Sequence, residues 1–279
     1  MKCSDYIANF LEEKKIKFNY IFTGGAIAHV IDSCWKKHEA NNQVLRPICV
    51  LHEQAGSMAM DAYTRSSGEL GVMMVTSGPG ATNLLTGIAC SYYDSIPGIY
   101  ITGQVRTWEG KGDRKQRQLG FQETDIVSMV KPIANYAVQI NDPSKIRYEL
   151  EKAFFLATNE RPGPVLIDIP MDVQWAEIEP DKLEIFKIPK AKFSQNSRLI
   201  SKIRETAKAI KNSKAPLIIA GAGIRNANAI KEFDEFVGKF NLPVVLTFGG
   251  RDCFSAESKL YAGLIGTMGN KASNLLVNN

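Results

Sequence analysis

The chain has 279 residues, 44% of them hydrophobic and 23% charged, with a formal net charge of +5. That balance suits a globular protein with one large domain or two ordinary ones, and it excludes a disordered polyelectrolyte. Lys and Arg are dispersed, and their densest cluster, Lys111 to Arg117, reads as a solvated loop and not as a nucleic-acid arm.

No stretch approaches the ~18 uninterrupted apolar residues of a membrane span. The start, Met1 to Lys15, has neither the apolar core nor the cleavage site of a signal peptide. A cytoplasmic protein is therefore expected. The cysteines Cys3, Cys34, Cys49, Cys90 and Cys253 lack CxxC spacing, and Cys34, Cys49 and Cys90, set among apolar or small residues, read as small hydrophobes. His29, His38 and His52 give no metal-ligand spacing, so no metal site is expected.

In chain order, short apolar runs predict strands at Tyr20–Thr23, Ile48–Leu51, Gly71–Thr76, Gly98–Gly103, Ala134–Ile140 and Pro164–Ile169. Helical spacing falls between them, at Ile27–Lys37, Glu53–Ser66, Ala81–Tyr92, Glu123–Val130 and Pro143–Asn159. The alternation predicts an α/β fold, a parallel sheet flanked by helices on both faces. Val72-Met-Met-Val75 is apolar on successive residues, as a strand buried on both faces requires. This first domain is placed at 1–172. Residues 173–197, rich in charge and holding Pro180 and Pro189, are expected to be a linker wrapping it. A second βα series follows at 198–279, with helices Leu199–Asn212 and Asn226–Phe240 and strands Pro216–Ala220 and Pro243–Thr247. Two strands make a thin sheet, so this second α/β domain is expected to be incomplete.

Three loops fall at one edge of the expected sheet, the carboxyl edge where open α/β folds gather ligand groups. His52-Glu-Gln-Ala-Gly56 begins a helix after the second strand; position alone favours reading Glu53 as a helix start stabilised by the macrodipole, and its small neighbours also suit a ligand contact. Thr76-Ser-Gly-Pro-Gly80-Ala-Thr-Asn83 presents bare backbone and a helix N-terminus, as a phosphate cradle or as a tight turn with its cap. It matches neither a P-loop nor GxGxxG. Gly24-Gly25 follows the first strand. Gly120-Phe-Gln-Glu-Thr-Asp125 closes a long polar loop, which is a functional segment or an ordinary helix start. Leu217 to Gly223 is a strand followed by glycines, without the third glycine of a dinucleotide fingerprint.

Together these segments resemble the pyrimidine-binding domain of thiamine-diphosphate enzymes, in particular the large subunit of acetolactate synthase and its relatives in surface-polysaccharide pathways. The residues that carry the resemblance are Thr23-Gly-Gly-Ala26, His52-Glu-Gln54, Val75 to Asn83 with Asp94-Ser-Ile-Pro97, and Arg161 to Pro170; Ile101 to Val105 and Phe121-Gln-Glu123 add to it. The resemblance implies that Glu53 hydrogen-bonds N1′ of the cofactor's aminopyrimidine, so that N4′ can take the proton from C2. It implies that Gly25, Thr76, Pro79 and Asn83 line the pyrimidine pocket, that Gln122 reaches the substrate, a 2-oxo acid such as pyruvate, and that Phe121 walls it. It also implies a structural FAD, with Arg161, Gly221 and Gly223 contributing, and Mg²⁺ held by a third, diphosphate-binding domain.

The sequence departs from the family in three places. Met171 stands where the synthases usually have Lys, and the loop Arg106–Leu119 is longer and more basic than theirs. Both departures suit a relative acting on a nucleotide-linked sugar. Gly112-Asp113-Arg114 is not the Gly-Asp-Gly of the third domain, which is read as absent; Asn278-Asn279 is a chance pair. The readings are then a decarboxylase/carboligase half, without activity as an isolated chain, or a non-catalytic interaction protein. The expected partners are a second copy, in a homodimer or tetramer, or a complementary diphosphate-domain chain.

Overall fold

The computed structural model describes residues 1–189 and 197–278 and divides into two compact units, Met1–Ile188 and Pro189–Asn279. The first unit is a six-stranded, wholly parallel sheet in the order β2-β1-β3-β4-β6-β5. Its strands are β1 (Phe18–Ile21), β2 (Arg46–Cys49), β3 (Gly71–Val75), β4 (Gly98–Gln104), β5 (Tyr136–Gln139) and β6 (Pro164–Pro170). Its helices are α1 (Cys3–Glu13), α2 (Ala28–Ala40), α3 (Glu53–Ser67), α4 (Pro79–Thr82), α5 (Leu85–Tyr93), α6 (Ile126–Val130), α7 (Ile146–Thr158) and α8 (Met171–Trp175).

The central strands are buried on both faces, so they read as continuous apolar runs. Along β3, Val72 and Met74 enter one core with Ile7 and Leu11 of α1, Val30 of α2 and Leu150 of α7. Met73 and Val75 enter the other, with Met60 of α3, Ile88 of α5 and Ile126 of α6. The order of the strands reverses direction between β1 and β3. Such a switch point opens a crevice at the carboxyl ends of the two strands.

Several expected bounds shift. The second strand lies two residues earlier than expected, and Leu51 is 98% exposed. The single helix expected over Ala81–Tyr92 is two, α4 and α5, because the chain tightens at Leu84, whose N–H donates to the Ala81 carbonyl. Helix α1 was not expected; Cys3, Ile7, Phe10 and Leu11 recur on its buried face. Of the three cysteines read as small hydrophobes, Cys34 is buried, whereas Cys49 and Cys90 are exposed; Cys3 and Cys253 are buried too.

Part of the expected linker, 190–196, lies outside the described residues. Earlier residues of it pack on the first unit: Ile178 N–H donates to the Met1 carbonyl, Phe186 N–H to Glu151, and the Phe186 ring meets Tyr148 and Phe155.

Among its described residues the second unit has three parallel strands, not two, in the order β7 (Ile218–Ala220), β8 (Val244–Leu246), β9 (Tyr261–Leu264). Its helices are α9 (Ser197–Asn212), α10 (Gly223–Asn226), α11 (Ile230–Phe240) and α12 (Lys271–Asn278). Ala220, Val237, Val244 and Leu246 form its core.

Candidate active site

Glu53 opens α3 directly beyond the end of β2. His52 caps the helix, its Nδ1 accepting from Gln54 N–H at 3.2 Å. Small residues follow because the helix is pressed on the sheet; at Gly56 a Cβ would stand 2.8 Å from Val50 Cγ2. The Glu53 residue is only 6% exposed. Its Oε2 accepts from Asn83 Nδ2 at 2.9 Å, which ties the start of α3 to the turn after β3. Its Oε1 has no hydrogen-bond partner among the described residues, yet it is not among the sealed, unpartnered atoms. One oxygen is thus fixed, and the other has no partner among the described residues.

The turn after β3 is shaped for close approach. Thr76 Oγ1 accepts from Ala26 N–H at 3.3 Å, joining the loops that flank the switch point. Gly78 has φ +60° and ψ −124°, a conformation open to glycine, and a Cβ there would lie 2.7 Å from Gln122 Cβ. Pro79 starts α4, where its missing N–H costs nothing. A Cβ on Gly80 would stand 2.8 Å from Thr76 Cγ2 and 3.3 Å from Glu53 Oε1, filling the space in front of the free oxygen. The side of Gly25 faces open space.

Glu53, Thr76, Pro79, Asn83 and Gly25 are therefore brought to one sheet edge. Gln122, at φ +61°, joins them through its contact with Gly78, and Phe121 beside it is 85% exposed. Arg161 is not brought there. It precedes β6 at the amino edge of the sheet, where Nε donates to Ser95 Oγ at 2.8 Å. Gly221 and Gly223 lie beyond the end of β7 in the second unit.

Sequence reasoning passed over one polar group at the same edge. Asp168, buried in β6, accepts from Thr102 Oγ1 at 2.7 Å and from Gln104 Nε2 at 3.0 Å. Loss of hydration pushes its carboxyl up to about 7, against the two hydrogen bonds that favour the charged form. It lies in the floor of a cleft of about 830 Å³, with Gln104, Arg106, Lys111, Glu123 and Asp125 around it. A carboxylate inside the apolar run Val165 to Ile169 was the available signal.

Comparison with known proteins decides the family. The family model described as "Thiamine pyrophosphate enzyme, N-terminal TPP binding domain" matches residues 1–129, and that described as "Thiamine pyrophosphate enzyme, central domain" matches residues 203–279. The chain belongs to the thiamine pyrophosphate enzymes. It is 38% identical, over 99% of its length, to a probable acetolactate synthase large subunit of Methanocaldococcus jannaschii, covering 45% of that protein. It is 36% identical to the acetolactate synthase large subunit of Porphyra purpurea, over 92% of this chain and 42% of the relative. With that of Lactococcus lactis the identity is 34%, over 98% and 45%. The chain thus spans less than half the length of these curated relatives.

The residues at the switch point fit the aminopyrimidine of thiamine diphosphate. A buried carboxylate with one unpartnered oxygen suits a ring nitrogen that carries or shares a proton, and Gly80 leaves the space a flat ring needs. For a divalent metal the fit is not met: among the described residues, no group of three or more His, Cys, Asp or Glu could hold one. No helix of the described residues is long and apolar enough to cross a membrane.

Proposed function

We propose that this chain forms the pyrimidine-binding part of an acetolactate-synthase-like enzyme, which decarboxylates a 2-oxo acid such as pyruvate and joins the remaining fragment to a second carbonyl. The observation that carries this reading is Glu53, buried at the switch point with Oε2 on Asn83 and Oε1 free. Thiamine diphosphate, when bound, supplies an acidic C2–H and stabilises charge on that carbon. The chain's own part is proton management and positioning. Glu53 Oε1 would hold or share a proton at the pyrimidine N1′, with Asn83 fixing the carboxylate through its other oxygen. Thr76 and Ala26 lock the two loops whose backbone borders the ring. Gln122 and Phe121 would face the substrate.

The names of the matched relatives favour this reading over a nucleotide-sugar enzyme or a non-catalytic interaction protein. Mg²⁺ and the diphosphate would be held outside the residues described, by a diphosphate-binding domain on the same or another polypeptide. Its partner would cover the exposed apolar residues next to Glu53 and Gln122 in the chain, Leu51, Met58 and Phe121, as a second copy or a complementary chain. A structural FAD would call on the glycines Gly221 and Gly223 beyond β7. The domains are assigned as pyrimidine-binding in the first unit and central in the second, and the compartment as cytoplasmic.

The test is pyruvate consumption and acetolactate formation with saturating thiamine diphosphate and Mg²⁺. It is run on these 279 residues alone and on the chain joined to the C-terminal half of a matched relative. Acetolactate is expected from the joined enzyme only. A joined enzyme that binds thiamine diphosphate but consumes no 2-oxo acid contradicts the reaction. Turnover by the 279 residues alone at ~1 s⁻¹ or more, an ordinary enzymatic rate, contradicts the need for a further domain.

A further inference from the structure

We propose that Asp168 is a positioning residue for Gln122, acting through Gln104 to brace the loop of residues 105–125 against the sheet. The brace is continuous in the structure. Asp168 Oδ2 accepts from Gln104 Nε2 at 3.0 Å, and the same nitrogen donates to the Thr124 carbonyl at 2.8 Å. Gln104 Oε1 accepts from Val105 N–H at 3.0 Å. Three of the four hydrogen bonds an amide side chain can make are therefore spent joining the ends of β4 and β6 to both ends of the loop.

Inside the loop Glu123 plays the complementary part. Its carboxylate accepts from Lys111 N–H at 2.6 Å and from Leu119 N–H at 2.9 Å. The span from Leu119 to Thr124 is thus one cross-tied piece, and Gln122 within it rests on Gly78, two residues from Thr76. Gln122 also holds a left-handed backbone at φ +61°, which a side chain adopts at a cost and keeps only where its neighbours impose it. The anchor at Thr124, two residues on, is what the Gln104–Asp168 pair provides.

The chemistry of the brace separates it from simple filling of the core. Asparagine at 168 keeps both contacts: its Oδ1 accepts from Gln104 Nε2, and its Nδ2 donates to Thr102 Oγ1, since a hydroxyl accepts as readily as it donates. Leucine has the same branched skeleton with bulkier methyl groups and keeps neither, leaving the Thr102 hydroxyl without its acceptor and Gln104 Nε2 with only its bond to the Thr124 carbonyl. The inference rests on the reading of Gln122 as a substrate-side residue. Its test needs neither cofactor nor turnover, so failure of either leaves the other standing.

The experiment is hydrogen exchange by mass spectrometry on the full chain and on Asp168→Asn, Asp168→Leu and Gln104→Met. Wild type and Asp168→Asn are expected to protect 119–125 alike. Asp168→Leu and Gln104→Met are expected to speed exchange there by about 10-fold, the effect of losing one net hydrogen bond, with β1 and β3 unchanged. If Asp168→Leu does not fold, Gln104→Met carries the same reading. A loop as protected in Gln104→Met as in wild type overturns the proposal. So does an Asn variant that loosens the loop as Leu does, or a loss of protection spread evenly over the sheet.

Discussion

Burial at the end of β6 raises the carboxyl of Asp168 from its ordinary 3.8 to about 7, with a smaller push from the nearby Asp125 charge. Between those values the folded protein binds one proton more than the unfolded chain. The group's contribution to stability is then complete below pH ~4, falls by about 1.4 kcal/mol per pH unit, and is lost above pH ~7. Asp168→Asn, which has no proton to lose, should flatten the stability profile across that window in urea titrations; an unchanged slope would place the titration elsewhere. At Gly78 the cost is one of backbone and space together. Gly78→Ala should destabilise the first unit by about 1–3 kcal/mol, because φ +60° is disfavoured and the new methyl meets Gln122; stability equal to wild type in the same titration would count against the described turn. At this scale the sequence was legible where residue type and position agreed, as at Glu53, which follows a strand and starts a helix. It was not legible at Asp168, since nothing local says that Thr102 and Gln104, more than sixty residues away, supply the donors.

Helices α3 and α5 touch through a glycine. A Cβ on Gly87 would overlap Ser57 Oγ, so the two helices approach at the distance of a bare backbone against a small side chain. This contact carries Glu53, at the start of α3, toward Asn83, just before α5. The same pair of helices is tied by Asp61, which accepts from Arg65 and, at 2.7 Å, from Ser91 Oγ. Gly87→Ala should cost about 1–3 kcal/mol as an overpacking change, and Ser57→Gly in the same chain should recover most of it. Additive losses in the double mutant would show that the helices do not meet there. Strand runs such as Val72 to Val75 were readable because burial on both faces leaves no alternation to misread. Strand β9 was missed for the opposite reason: Tyr261-Ala-Gly-Leu264 is short, Gly263 sits at φ +103°, and its pairing with β8 is irregular. Helix α1 was readable in the recurrence of Cys3, Ile7 and Leu11, but the charges at Glu12 to Lys15 hid it.

Over the whole molecule, the α/β class and the parallel first sheet were legible, because alternating strand and helix patterns admit few other arrangements. The order of strands was not, and it is the order that matters for function: placing β1 beside β3 makes the switch point, and the loops after β1, β2 and β3 then converge on Glu53. The role proposed for this carboxylate is to relay the proton that activates thiamine diphosphate. The most direct measurement is the rate of C2–H exchange of the bound cofactor in deuterated buffer, quenched and read by proton NMR, in the chain joined to a diphosphate-binding domain. Glu53→Gln should keep the fold and the cofactor but slow exchange by at least ~10²-fold, the scale of general acid–base catalysis. Exchange at the wild-type rate, with the cofactor bound, would rule Glu53 out as the relay.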